Sequence, residues 1–207
     1  MSNQALANAT FLVLGIVCFV LAIRALYVYF LSRNDLLFII GVSIADIGIS
    51  VIVGYTQDIH LISWNAHLSW YIGCIVGVLF LVLGSWASSS KQILVIKRWL
   101  IIITALYFIQ TLLTPITPQF PNLYIPLALN IIRSTIALVG SFRYLVLYFS
   151  KGTRFSLLMC VAFLLIGSGF GILTPQLFDS SLAIFLTIGY SLRIIGYTTL
   201  LVAYSWS

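Results

Sequence analysis

"AIRALYVYFLSRNDLLFIIGVSIADIG", residues 22–48, holds two apolar runs parted by four polar residues, Ser32, Arg33, Asn34 and Asp35. The first run reaches back to residue 9 and the second continues to residue 55. Each approaches or exceeds the ~20 apolar residues that cross a hydrocarbon core. A short polar turn carrying a basic residue between two such runs reads as a hairpin of membrane-spanning helices, because lipid offers unpaired backbone groups no partner.

The same grammar repeats along the chain. Candidate spans are 9–31, 36–55, 68–87, 95–114, 124–149, 155–174 and 182–204. Turn or charge signals separate them: "SRND", "TQDIHLISWNAH", "SSSKQ", "TPITPQFPN", "SKGTR" and "PQLFDSS". The expected fold is all-α, a polytopic membrane bundle of seven transmembrane helices forming a single transmembrane domain over 1–207. Composition agrees. Hydrophobic residues make up 62% of the 207, charged residues 7%, and mean hydropathy is +1.16, more apolar surface than a soluble domain of this size can bury. "MSNQALANAT" has no basic segment ahead of the first run, so that run is expected to be a true span rather than a signal peptide.

The net charge of +6 then becomes a statement about topology. The first, third and fifth connections, with their flanking helix ends, hold Arg24, Arg33, Lys91, Lys97, Arg98, Arg143, Lys151 and Arg154. The second, fourth and sixth hold Asp58 and Asp179 and no Lys or Arg. Odd connections therefore face the cytoplasm, with the N-terminus outside and the C-terminus cytoplasmic. Trp64, Trp70, Tyr124 and Phe178 mark the outer interface, and Tyr29, Trp86, Trp99, Tyr148 and Trp206 the inner one. A multi-pass protein of the cell membrane is the expected setting. The lipid bilayer is its first partner, and nucleic acid is not one, since no soluble basic face is available.

"RALYVYF" at 24–30 aligns without a gap with "RYLVLYF" at 143–149, an offset of 119 residues (24 to 143). The same offset pairs Gly48 with Gly167, and Tyr71, Ile75 and Gly77 with Tyr190, Ile194 and Gly196. Spans 1–3 (about 9–87) thus match spans 5–7 (about 124–204), with span 95–114 as the inverting linker helix. The pattern is a 3+1+3 parallel repeat.

Two basic residues remain, Arg133 and Arg193, along with one mid-span acid, Asp46. All three fall within roughly one helical turn of the midplane, where each costs about 2.5–3.5 kcal/mol to insert. Side chains at that cost face the bundle interior and find partners. Around Arg193 stand Tyr190, Gly189, Gly196 and Tyr197; Asp46 shares a face with Ser43 and Ser50; Arg133 has Asn130 one turn away. Two readings stand. Asp46, Arg133 and Arg193 form a structural clip joining spans 2, 5 and 7. Alternatively, with Tyr190, Tyr197 and Asn130, they form a site for a small anionic or lipidic ligand, since one carboxylate does not neutralise two guanidiniums. At the offset of 119 the counterparts of Arg193, Asp46 and Arg133 are Cys74, Leu165 and Leu14, so the charges are an asymmetric addition to the repeat.

Other chemistries are unsupported. His60 and His67 both fall at the second connection, leaving no buried pair for haem and no zinc-hydrolase site. The three lysines lie near the cytoplasmic side, so a retinal Schiff base is excluded. Cys18, Cys74 and Cys160 sit in apolar runs without CxxC spacing and are expected to be buried small hydrophobes. Phosphate loops, nucleophile elbows and paired carboxylates are missing. Neither an enzyme nor a resident metal or cofactor is expected.

In topology alone, the 3+1+3 arrangement with its N-terminus outside resembles the PQ-loop and SWEET transporters. Spans 1–3 here lack the prolines of those families, and Pro118-Gln119 and Pro175-Gln176 lie at outer helix ends. In style, "AIRALYVYFLSRNDLLFIIGVSIADIG" and "RIIGYTTLLVAY" resemble the seven-span sensor regions of prokaryotic histidine kinases and diguanylate cyclases. That resemblance implies a membrane sensor acting through a cytoplasmic signalling partner or a homodimer. The topological resemblance implies a small-solute transporter.

Overall fold

The computed structural model describes residues 3–59, 65–118, 120, 122–178 and 183–205. His60, Trp64, Gln119, Asp179 and Trp206 of the sequence reading lie outside them. Seven helices follow in order: α1 (Asn3–Ser32), α2 (Asp35–Asp58), α3 (Ala66–Trp86), α4 (Ser90–Leu112), α5 (Tyr124–Lys151), α6 (Arg154–Gly171) and α7 (Ala183–Ser205). All seven are long and apolar enough to cross a membrane, and no strand occurs among the described residues. Their outward faces are apolar: Leu31 is 70% exposed, Phe142 68% and Phe149 79%. Such a surface suits lipid and would be an aggregation liability in water.

Local chemistry places the breaks. In "SRND", Arg33 takes a left-handed conformation (φ 55°) and donates its N–H to the Tyr29 carbonyl, closing α1. The Asn34 side chain then accepts from Leu36 N at 3.0 Å and caps α2. Ser89 caps α4 through Gln92 N, and the Gln92 side chain accepts from Ser88 N at 2.8 Å. Gly152 (φ 62°) ends α5, and Thr153 caps α6. Past α6 the chain tightens into a 3-10 turn at Pro175–Leu177, because Pro175 has no N–H with which to continue a helix.

The helices form two compact units, Gly15–Asn122 and Met1–Leu14 with Leu123–Ser207. In the first, α2 packs on the α1 segment, on α3 and on α4. A methyl group added at Gly48 would lie 3.2 Å from Cys18 Cβ, and one at Gly77 would lie 2.5 Å from the Ser43 carbonyl oxygen and closer still to Ile47. Ile39, Val76, Phe80 and Leu100 make a dry core where α2, α3 and α4 meet. At the end of the unit that carries the α1–α2 connection, Lys97 of α4 pairs with Asp35 at 2.5 Å and donates to the Tyr29 hydroxyl at 3.3 Å. The expected linker helix α4 is thus packed into this unit, against α2 and α3.

In the second unit, α6 lies between α5 and α7. Ser134 Oγ donates to the Gly167 carbonyl at 2.8 Å and Ser141 Oγ to the Cys160 carbonyl at 2.9 Å. A methyl group at Gly196 would lie 2.7 Å from Ile166 and 3.0 Å from the Ala162 carbonyl oxygen. Phe11 of the α1 start stacks on Tyr190 of α7, with ring centroids 4.6 Å apart.

Candidate functional site

The α5–α7 unit encloses two arginines. Arg193 and Arg133 are both 0% exposed, and each guanidinium carbon lies 4.6 Å from the centre of the Phe170 ring. Arg193 also lies 4.8 Å from the Tyr190 ring, which stacks on Phe11. The electron-rich faces of these rings attract the flat cations, an effect that grows in the absence of water.

Asn130 organises the α5 side. Its Nδ2 donates to the Phe170 carbonyl and to Thr174 Oγ1, both at 2.9 Å. That fixes the amide so that Oδ1 accepts from Arg133 Nη2 at 2.5 Å. On α7, Arg193 Nε donates to the Gly189 carbonyl at 3.4 Å, a long bond to its own helix. Its Nη1 and Nη2 have no hydrogen-bond partner among the described residues. Those two nitrogens carry four N–H donors, buried beside two aromatic rings. The Arg193 stem reaches this position because residue 169 is glycine: a methyl group there would come within 2.7 Å of Arg193 Cγ. Tyr197, one turn further along α7, is 0% exposed. The described residues of this unit include no Asp or Glu.

Asp46 belongs to the other unit and has its own partner there. Thr104 Oγ1 of α4 donates to Asp46 Oδ2 at 2.7 Å. Asp46 is 1% exposed, and Ser43 and Ser50 on the same face are 0% exposed. Of the residues singled out from sequence, Arg133, Arg193, Asn130 and Tyr190 therefore gather around Phe170, while Asp46 gathers with Thr104.

Three residues of these sites escaped the sequence reading. Thr104 is one hydroxyl in an apolar run, and Phe170 one aromatic ring among many. Gly169 did carry a signal, for it stands at the offset of 119 from Ser50 just as Arg193 does from Cys74. The three cysteines are buried. His67 donates its backbone N–H to Gln57 Oε1 and lies 6.0 Å from the Trp70 ring. Among the described residues, no three His, Cys, Asp or Glu side chains gather as a metal site would need. Comparison with family models, curated proteins and solved structures gives no match for this chain.

Proposed function

We propose that this chain is an integral protein of the cell membrane, of sensor or ligand-binding type, that receives a small anionic or lipidic ligand at Arg193 and Arg133. The observation that carries this reading is Arg193: fully buried, with Nη1 and Nη2 lacking hydrogen-bond partners among the described residues. Buried donors left unmade are costly, and a guanidinium fork matches a carboxylate or phosphate in two parallel bonds. An anion there would satisfy both nitrogens and offset the charge. Phe170, Tyr190 and the Asn130 amide hold the two guanidiniums in place. Signalling would then pass to a cytoplasmic partner or across a homodimer, and the site has no catalytic role.

The architecture we infer is the 3+1+3 parallel repeat with the N-terminus outside and the C-terminus cytoplasmic. Contacts inside each unit support the duplication. Gly77 meets Ile47 and the Ser43 carbonyl; adding 119 to each number gives Gly196, Ile166 and Ala162, which meet in the same way. Gly48 lies on Phe19 as Gly167 lies on Leu138, and Gly15 faces Ile52 as Ser134 faces Gly171. Ser50 touches Cys74 at 3.3 Å, and their counterparts Gly169 and Arg193 are also in contact. The arginine thus occupies a scaffold position whose neighbour has shrunk from serine to glycine.

Purified protein in nanodiscs of neutral lipid tests the ligand reading. Inorganic phosphate or acetate, or phosphatidylglycerol added to the disc, is expected to raise the midpoint of thermal unfolding in a saturable way. The free anions and the lipid arm separate a soluble ligand from a headgroup. Unchanged midpoints across all three would defeat the proposal. The recurrence of contacts favours one second reading, a small-solute transporter of the 3+1+3 class. Saturable anion flux into proteoliposomes would establish that reading over the sensor.

A further inference from the structure

The geometry points to a separate proton-binding site at Asp46, exchanging with one end of its unit only, the end that carries the α2–α3 connection. This inference is independent of the anion site. An ionised carboxylate in hydrocarbon needs a cation, several donors or a proton. Asp46 is 1% exposed and receives one hydrogen bond among the described residues, from Thr104. The basic residues of its unit are engaged or turned outward. Lys97 is held by Asp35 and Tyr29, while Arg24, Arg33, Lys91 and Arg98 are exposed.

A sodium ion is a poor fit. Intramembrane sodium sites draw on backbone carbonyls freed where a helix unwinds. Here α2 runs unbroken from Asp35 to Asp58, so its carbonyls near Asp46 are committed to the helix. Side-chain oxygens nearby are few: the carboxylate, Thr104 Oγ1, Ser43 Oγ and Ser50 Oγ, the last already donating to the Ile47 carbonyl. A proton needs only one acceptor. Ser43 Oγ, one turn away on the same face of α2, is buried without a hydrogen-bond partner among the described residues. It can accept from a protonated Asp46 while Thr104 keeps donating to Oδ2.

The surroundings of Asp46 are polar in one direction and dry in the other. Towards the α2–α3 connection stand Ser50 with Cys74 (3.3 Å), then the Tyr107 hydroxyl packed against Gly73, then Ser69 with Thr111 (2.6 Å). The series ends where Asn65 Nδ2 donates to the Pro118 carbonyl at 2.6 Å. Successive groups are about one helical turn apart, ~5.4 Å, a step that one water bridges. In the opposite direction, past the single hydroxyl of Ser43, lies the apolar core of Ile39, Val76, Phe80 and Leu100. Among the described residues, the titratable groups beside this stretch of α2 are Cys74 from α3, Tyr107 from α4 and Cys18 from α1, which packs at Gly48; Lys97 lies further along α4. Lys97 is turned to Asp35. The reaction is simple proton transfer: hydronium at the connection end gives its proton to an Asp46 oxygen, leaving water and a neutral acid.

Dicyclohexylcarbodiimide, which adds only to a protonated carboxyl, tests this on the full chain in liposomes of known insertion direction. The expected result is an adduct on Asp46, read by peptide mass, that diminishes at least fivefold when pH is raised at the α2–α3 end. Raising pH at the other end should leave it unchanged. Equal response to both ends, or response to the far end alone, overturns the inference. Protection by sodium at constant pH overturns it in favour of a metal cation. Infrared difference spectra supply a readout free of reagent access: a protonated-carboxyl band present at acidic pH in the wild type and lost in Asp46→Asn. Absence of that band from the wild type at every pH also overturns the inference.

Discussion

Arg193→Leu is expected to leave the protein folded and to erase its stabilisation by anions. At a free ligand concentration of 100 times Kd, the wild type gains about 2.7 kcal/mol from binding, and the variant should gain nothing measurable. Basal stability should change by no more than about 1 kcal/mol. Removing the guanidinium relieves an insertion cost of about 2.5–3.5 kcal/mol. Set against that are two ring contacts, to Phe170 and Tyr190, each worth about 0.5–2 kcal/mol. A structural clip behaves differently: removing one member of a buried ion pair costs about 3–5 kcal/mol because the partner charge is stranded. Scanning calorimetry in nanodiscs, with and without phosphate, separates the two. A large basal loss with the phosphate response intact would make Arg193 a brace and not a binding group.

The second large effect concerns the glycines at which helices touch. Gly77→Ala is expected to destabilise by about 1–3 kcal/mol, the usual cost of overpacking, and Gly77→Leu to prevent folding. The added methyl meets a backbone oxygen of α2 at 2.5 Å, and a backbone oxygen cannot turn aside as a side chain can. Gly196→Ala should be milder, because the corresponding oxygen of Ala162 lies at 3.0 Å. Gly171→Ala serves as the control: its nearest neighbour is Ser134 Oγ at 3.4 Å, an ordinary contact. Unfolding midpoints should rank Gly77→Ala lowest, Gly196→Ala next and Gly171→Ala near wild type. Equal tolerance at positions 77 and 171 would contradict the packing described for α2 and α3.

The seven helices were legible because each is a long apolar run bounded by polar turns. The expected spans 36–55 and 68–87 correspond to α2 and α3 within a few residues. Differences arise at the helix ends, in both directions. Helix α4 begins at Ser90, before the expected 95, since the Ser89 cap lets Lys91 and Gln92 join the helix in a polar zone. Helix α6 ends at Gly171, ahead of the expected 174, where the chain tightens towards Pro175. Hydropathy measures the solvent around a helix and not where its hydrogen bonds stop.

The sites were legible in their ingredients more than in their pairing. Burial of Arg133, Arg193 and Asp46 follows from their depth in apolar runs, and Asn130 follows from its place one turn from Arg133. Partners across helices depend on how each helix is rotated about its axis. A single threonine at 104 or phenylalanine at 170 gives no periodic signal for that rotation. Gly169 was the readable exception. It stands at the offset of 119 from Ser50, and the smaller residue leaves room for the Arg193 stem.

On the proposed function, Arg193 presents Nη1 and Nη2 to an anion. Anomalous diffraction from crystals soaked in bromide tests it most directly. A bromide peak is expected within hydrogen-bond distance of Arg193 Nη1 or Nη2, next to Phe170, and should disappear in Arg193→Leu crystals. Nη1 and Nη2 bonded to a protein carboxylate, with no bromide at the site, would contradict it.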